Sequence, residues 1–380
     1  MHTPLCELFG IDHPIFGFSP SPPVVAAISN AGGMGVLGVA AMTPEGVDEA
    51  LSWIEDQVGE RPYGVDVIMP ALTAETAAVD TEQLAAELRA RIPNENREFV
   101  DDLMDRFALE PIPDDNMTPG GMLTHLAARS QLDTVLQHSP AFLVNALGTL
   151  PADIIETCRQ RGIRTGSLAG KAKHAVAHRD AGIDVVISTS YEAAGHTGDI
   201  AGMVLHAEIA NAVAPLPVLA SGAMATGRQA AAAIALGAQG VWAGSAWLTS
   251  DEWIGRPPPT AMFPGWTDAK QAYLDATSSD TVRTRWATGK PARLLRTPWS
   301  DAWEASDSPG YLPMPLQGAL VTEAQRRMGH WNRSDIGFMP AGQVIGMLNE
   351  IKPAGRIIAE MVREYDEVVA SLANTTTGPR

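Results

Sequence analysis

The chain has 380 residues, of which 45% are hydrophobic, 19% charged and 6% aromatic. This is ordinary globular composition, and it excludes a disordered, collagen-like or coiled-coil protein. A formal net charge of −17 repels phosphate backbones and anionic lipid, so neither nucleic acid nor a membrane surface is expected as a partner.

No window offers about 20 uninterrupted apolar residues, the length a transmembrane helix needs. The first residues, Met1 to Ile11, lack a basic segment followed by an apolar run, which argues against a signal peptide. A cytoplasmic protein is the expectation. The two cysteines, Cys6 and Cys158, are too few for a disulfide framework or a thiolate metal cage.

In chain order, short apolar runs predict strands at Ile15–Phe18, Gly35–Val39, Tyr63–Met69, Phe142–Asn145, Ile163–Ser167, Asp184–Ser188, Pro217–Ser221 and Gly240–Gly244. Most are nearly continuous, as strands covered on both faces are. Helical patterns lie between most of them, at Pro22–Asn30, Pro44–Val58, Pro151–Arg161, Gly170–Ala181, Met203–Val213 and Gly227–Leu236. Thr43 and Pro44 suit a helix start. Gly32, Gly162, Gly182 and Gly237 suit helix ends. Strand, crossover helix and parallel strand in repetition give an α/β fold. Eight repeats predict a (β/α)8 TIM barrel over 1–79 and 139–250, with an open doubly wound sheet as the competitor.

Two segments break the repeat. Residues 80–138 form an acidic insertion with helical patterns at Gln83–Arg91, Glu95–Phe107 and, after Pro119-Gly120-Gly121, Met122–His138. A structureless loop of that length is implausible in a compact domain, so a small helical subdomain is expected. Residues 251–380 hold the loops Pro257-Pro258-Pro259 and Pro313-Met314-Pro315 and a final amphipathic helix near Ala354–Leu372. They predict a second, mainly helical region packed on the barrel.

Three constellations could carry chemistry. Strands seven and eight each end in small residues, Ser221-Gly222-Ala223 and Gly244-Ser245. The loops after these strands commonly bind phosphate in such barrels, through close backbone approach and N–H donors at a helix N-terminus. Tight-turn chemistry alone is the competing explanation. His196, in Glu192-Ala193-Ala194-Gly195-His196-Thr197-Gly198, follows the sixth strand and faces the expected barrel mouth. An imidazole there can take a proton near neutral pH; an ordinary exposed loop histidine is the alternative. Asn30-Ala31-Gly32-Gly33-Met34-Gly35-Val36-Leu37-Gly38 permits close approach of a flat ring, though helix-to-strand turn chemistry explains most of it. The other histidines, including His174 and His178 on one helix, read as surface residues, and no metal site is expected.

In this order the segments resemble the nitronate monooxygenase family, through Ser29–Gly35, Pro62–Asp66, Glu192–Gly198, the strand seven and eight pair, Thr288–Arg293 and Pro340–Gln343. The insertion is similar to that of an actinobacterial branch. The resemblance implies an FMN-containing barrel with a helical second domain. It implies His196 as the base on an acidic carbon, or as a partner of an anionic nitronate, with O2 as electron acceptor. By position it implies that Gly17, Phe18, Asp66, Thr189, Ala194, Gly195, Ser221, Gly222, Ala223, Gly244 and Ser245 line the FMN site. Asp66 stands where many members have Asn, Thr189 where they have Gln, and Ala194, Ala223 and Trp242 replace Gly, Gly and Gln. Ala223 and Trp242 are expected to add bulk near the phosphate. Two alternatives accompany this reading. One is an enoyl-type reductase on the same barrel that uses FMN and NAD(P)H. The other is a ligand-binding paralogue without flavin chemistry. A small-molecule substrate is implied in each case, and a homodimer is compatible with it.

Overall fold

The computed structural model describes residues 1–40, 42–69, 81–113, 125–253 and 269–376. Among them the strands are β1 (Ile15–Ser19), β2 (Met34–Gly38), β3 (Tyr63–Val67), β4 (Phe142–Asn145), β5 (Arg164–Ala169), β6 (Val185–Thr189), β7 (Gly195–His196), β8 (Val218–Ser221), β9 (Gly240–Ala243), β10 (Thr281–Thr284) and β11 (Ala292–Leu295). Eight of them, β1 to β6 with β8 and β9, close into one barrel. Every pairing is parallel, and β9 returns to β1 through Phe16 and Trp242. This is the α/β TIM barrel that the repeat predicts, not an open sheet.

Helices connect the strands: Pro22–Asn30, Pro44–Val58, Ala152–Arg161, Ala172–Asp180, Gly202–Val213 and Gly227–Ala235. Their starts follow local chemistry. The Thr43 side chain accepts from Gly46 N–H at 3.2 Å, and Pro44 enters the first turn, where its missing N–H costs nothing. Thr226 and Gln229 form a full capping box. Gly162, in the left-handed conformation at φ 73°, ends Ala152–Arg161.

Alternate residues of the strands point inward. Phe16, Met34, Val36, Phe142, Val144, Val185, Ile187, Leu219 and Trp242 form the packed barrel interior. A short helix, Pro4–Phe9, closes the floor. Phe9 packs edge-on against Phe16 and Phe142, at 5.3 and 5.0 Å between ring centroids. Gly35 faces outward near the start of β2. A Cβ there would lie 2.1 Å from the Val25 carbonyl oxygen, so glycine lets Pro22–Asn30 seat on the strand. Thus the Gly32–Gly35 stretch serves helix-to-strand packing, at the end of the barrel remote from the strand tips.

The insertion contributes Thr81–Ala90, Asn94–Arg106 and His125–His138. The last packs on Pro44–Val58, and the first two pack on the helix Leu316–His330 of the C-terminal region. Val100 and Leu103 share a core with Trp299, Trp303 and Leu320. Two strands of the C-terminal region, β10 and β11, take up β7 from the loop after β6 in a small antiparallel sheet, ordered β10-β11-β7. The long final helix is Ala354–Thr376. The predicted loops Pro119-Gly120-Gly121 and Pro257-Pro258-Pro259, and residues 122–124 of the predicted third insertion helix, lie outside the described residues. Among the described residues no helix is long and apolar enough to cross a membrane.

Candidate active site

Parallel strands bring their C-terminal ends to one face. There β8 runs into Gly222 and Ala223, both at positive φ (107° and 57°). A Cβ on Gly222 would lie 2.1 Å from Ser190 Oγ, so only glycine fits this turn. Ala223 is a non-glycine residue in the left-handed region, which costs about 1–2 kcal/mol and commonly marks a functional turn. Ala223→Gly is therefore expected to raise stability by about 1 kcal/mol. A denaturant midpoint that falls instead would contradict the assigned strain.

Next to this turn β9 runs into Gly244 and Ser245. Among the described residues, the backbone N–H groups of Gly222, Ala223, Gly244 and Ser245 have no acceptor. The following helix is different. Gly227 N–H donates to the Glu364 carboxylate at 3.1 Å, and Gln229 N–H donates to Thr226 Oγ1 at 3.3 Å. Gly227 and Gln229 of the helix end are thus engaged, whereas both turns keep donors that an anion could take. The Ser245 hydroxyl oxygen accepts from Gly342 N–H at 2.9 Å.

His196 lies on β7, which pairs with β11 (Ala292 opposite His196, Arg293 opposite Gly195). Its ring is accessible. Nδ1 lies 3.2 Å from the Pro291 carbonyl oxygen and Nε2 lies 3.4 Å from Thr288 Oγ1. A carbonyl can only accept, so in the neutral ring Nδ1 carries the hydrogen and Nε2 keeps its lone pair. Desolvation by the surrounding protein holds the imidazole below its ordinary pKa; the Pro291 carbonyl opposes this and Lys290 reinforces it. Near neutral pH, His196 is a free base.

Two arginines fix this loop, and no local motif marks either for that role. Buried Arg293 donates twice to the Tyr191 carbonyl oxygen, at 3.2 and 3.1 Å, and its guanidinium lies 4.6 Å from the Tyr191 ring centroid. Arg283 donates to Thr197 Oγ1 at 3.0 Å and pairs with Asp199. Glu192 caps the helix Gly202–Val213 through Gly202 N–H at 3.0 Å, and its carbonyl accepts from Gln343 N–H at 3.0 Å. The Thr288–Arg293 and Pro340–Gln343 segments are therefore the braces of the histidine loop.

Between the turns and the far side of the barrel lie the remaining candidates. Phe18 crosses toward β2, where its ring fills the space a side chain on Gly38 would need, 2.6 Å from that Cβ position. It stacks on Trp242 at 6.1 Å and 25°. Trp242 belongs to the barrel interior, so its bulk faces Phe18. Gly17 faces the other way; a Cβ there would meet Ile28 and Trp247, so only its backbone could reach a ligand. Asp66 and Thr189 are buried at the ends of β3 and β6. Ser221 is buried and its carbonyl accepts from Ser190 N–H at 3.0 Å. Ala194 is half-buried and Gly195, at φ 67°, turns the chain toward His196.

Two other histidines are not surface residues. His178 is buried, within 2.6 Å of Thr149 Oγ1 and 3.1 Å of the Leu168 carbonyl oxygen. His206 is 2% exposed, with Nδ1 2.9 Å from Ser188 Oγ. Helical period accounts for both: His178 shares a face with buried Ala175, and His206 shares the inward stripe of Leu205, Ile209 and Val213. Among the described residues no group of three or more potential ligands could hold a metal ion.

The sequence profile of the nitronate monooxygenase family matches residues 2–364. The chain belongs to the nitronate monooxygenase family. As a member it is an oxidoreductase, which sets aside the purely ligand-binding alternative. Rv1533 of Mycobacterium tuberculosis, named for monooxygenase activity, is 42% identical, with 98% of each chain covered. The solved structure of nitroalkane oxidase from Streptomyces ansochromogenes is 25% identical with a TM-score of 0.77, covering 97% of this chain and 99% of that one. FabK from Thermotoga maritima is 25% identical with a TM-score of 0.73, covering 99% of each. The nitronate monooxygenase barrel thus accounts for the order of the motifs. The motif histidine lies at the same barrel end as the two small-residue turns.

Proposed function

We propose that the chain binds FMN at the C-terminal end of the barrel and oxidises a nitronate, or another substrate with an acidic carbon, using O2. The observation that carries this reading is the meeting at one barrel end of four backbone N–H groups, without an acceptor among the described residues, with the accessible Nε2 of His196. The residues present suit the group. Oriented N–H donors on glycine and small-residue turns match a phosphate. The half-buried Phe18 ring, backed by buried Trp242, offers an apolar aromatic face to a flat heterocycle. Gly222, Ala223, Gly244 and Ser245 would hold the phosphate through the backbone; Phe18, Asp66, Thr189 and Ala194 would border the ring. When bound, FMN supplies the two-electron acceptor and the route of those electrons to O2.

The chain's own residues handle position and protons. Pro291 fixes the His196 tautomer, and Arg293 and Arg283 hold the loop that carries it. Nε2 takes a proton from an acidic carbon, or as imidazolium steadies an anionic nitronate oxygen. The Thr288 hydroxyl, 3.4 Å away, is displaced by the substrate or stabilises the ring.

The test is aerobic turnover of an alkyl nitronate by the FMN-loaded protein without NAD(P)H. Consumption of nitronate and O2 is expected. Reduction of the flavin by NADPH with no nitronate consumption would favour the enoyl-type reductase instead.

A further inference from the structure

Asp66 occupies an unusual position for a carboxyl group. It lies between Gly38 of β2 and Val144 of β4 in the barrel register, and Val144 faces the interior. It is 5% exposed, and its Oδ1 has no hydrogen-bond partner among the described residues. No lysine or arginine pairs with it among the described residues, and the neighbouring strand ends offer Gly38, Val39, Val144 and Ala146, none of them titratable. An ionised carboxylate buried without a cation is expensive, and such a group takes up a proton instead. Burial pushes Asp66 well above the usual carboxylate range, opposed only by the Ala146 N–H. An ionised carboxylate only accepts hydrogen bonds; the neutral acid adds an O–H donor.

We propose that Asp66 is an uncharged acid that donates a hydrogen bond to a lone-pair oxygen or nitrogen of the ring bound in the barrel mouth. This rests on the flavin reading above. It gives the site a donor chemically distinct from the backbone N–H groups that face the anionic tail. It also assigns to the carboxyl group a proton that is separate from the one moved by His196.

The first test needs no cofactor. Infrared difference spectra of the apo protein at neutral pH, wild type minus Asp66→Asn, should contain the C=O stretch of a protonated carboxyl. A spectrum with only carboxylate bands would overturn the proposal. The second test is FMN titration followed by flavin fluorescence from neutral to alkaline pH. Wild-type affinity should fall as pH rises and Asp66 loses its proton. Asp66→Asn, which keeps a donor, should bind at near wild-type strength with no such fall. Asp66→Leu should bind about tenfold more weakly, as loss of one hydrogen bond implies. Equal, pH-independent affinity in all three proteins would overturn the donor role alone. An acid band with no FMN bound at any pH would overturn the flavin reading and the ring contact with it.

Discussion

His196→Asn is expected to lower turnover by about 10²–10⁴-fold, the usual range for loss of a general base. FMN content and the denaturation midpoint should remain at wild-type values. The reason is structural: the ring is accessible, and among the described residues its one backbone partner is the Pro291 carbonyl. The loop is held by other residues, chiefly Arg293 and Arg283. The pH profile adds a signature. Because desolvation holds His196 below its ordinary value, the acid limb of the wild-type rate should lie below the imidazole's normal titration range. That limb should vanish in the variant. Undiminished turnover in His196→Asn would refute the role.

Lowering the pH should destabilise the fold through His206. Burial pushes its pKa down to about 4 from the ordinary 6.5, with Glu192 opposing. The unfolded chain therefore takes up a proton below about pH 6.5, whereas the native chain does not until about pH 4. The cost is about 1.4 kcal/mol per pH unit, or about 3 kcal/mol across that window. Stability from this group is present above the window and lost on acidification. His206→Gln should lack this component. Denaturant midpoints of the two proteins at neutral pH and near pH 4.5 measure the difference. Parallel losses in both would show that His206 is not the acid-sensitive group. The position matters to the site because Ser190, whose buried Oγ has no partner among the described residues, touches Gly222 on one side and the His206 surroundings near Gly202 on the other.

The barrel was readable because parallel strands covered on both faces leave continuous apolar runs, and helix ends leave Thr, Pro and Gly in fixed places. Phe142–Asn145, Pro22–Asn30 and Pro44–Val58 appear with the predicted bounds. The floor helix Pro4–Phe9 was not readable, since six residues carry too little period to register. Nor was the β7–β11 pairing, which joins two-residue Gly195–His196 to Ala292–Arg293 across the whole helix-rich interval between them. A contact that distant in sequence leaves no local pattern. The turns at Gly222 and Gly244 stood out by composition. Which of their donors are free did not, because that depends on Glu364 and Gln229 satisfying the adjacent helix. The direction of Trp242 follows from strand alternation with Gly240 and Gly244. Its partner Phe18 required the closed barrel to bring β9 beside β1.

A paired equilibrium titration with FMN and riboflavin tests the proposed phosphate site at the two turns most directly. One FMN per chain should bind, and riboflavin, identical except for the missing phosphate, should bind at least about tenfold more weakly, since hydrogen bonds to a charged group contribute roughly 1.5–3 kcal/mol. Equal affinity for the two, or binding of neither, would contradict the account.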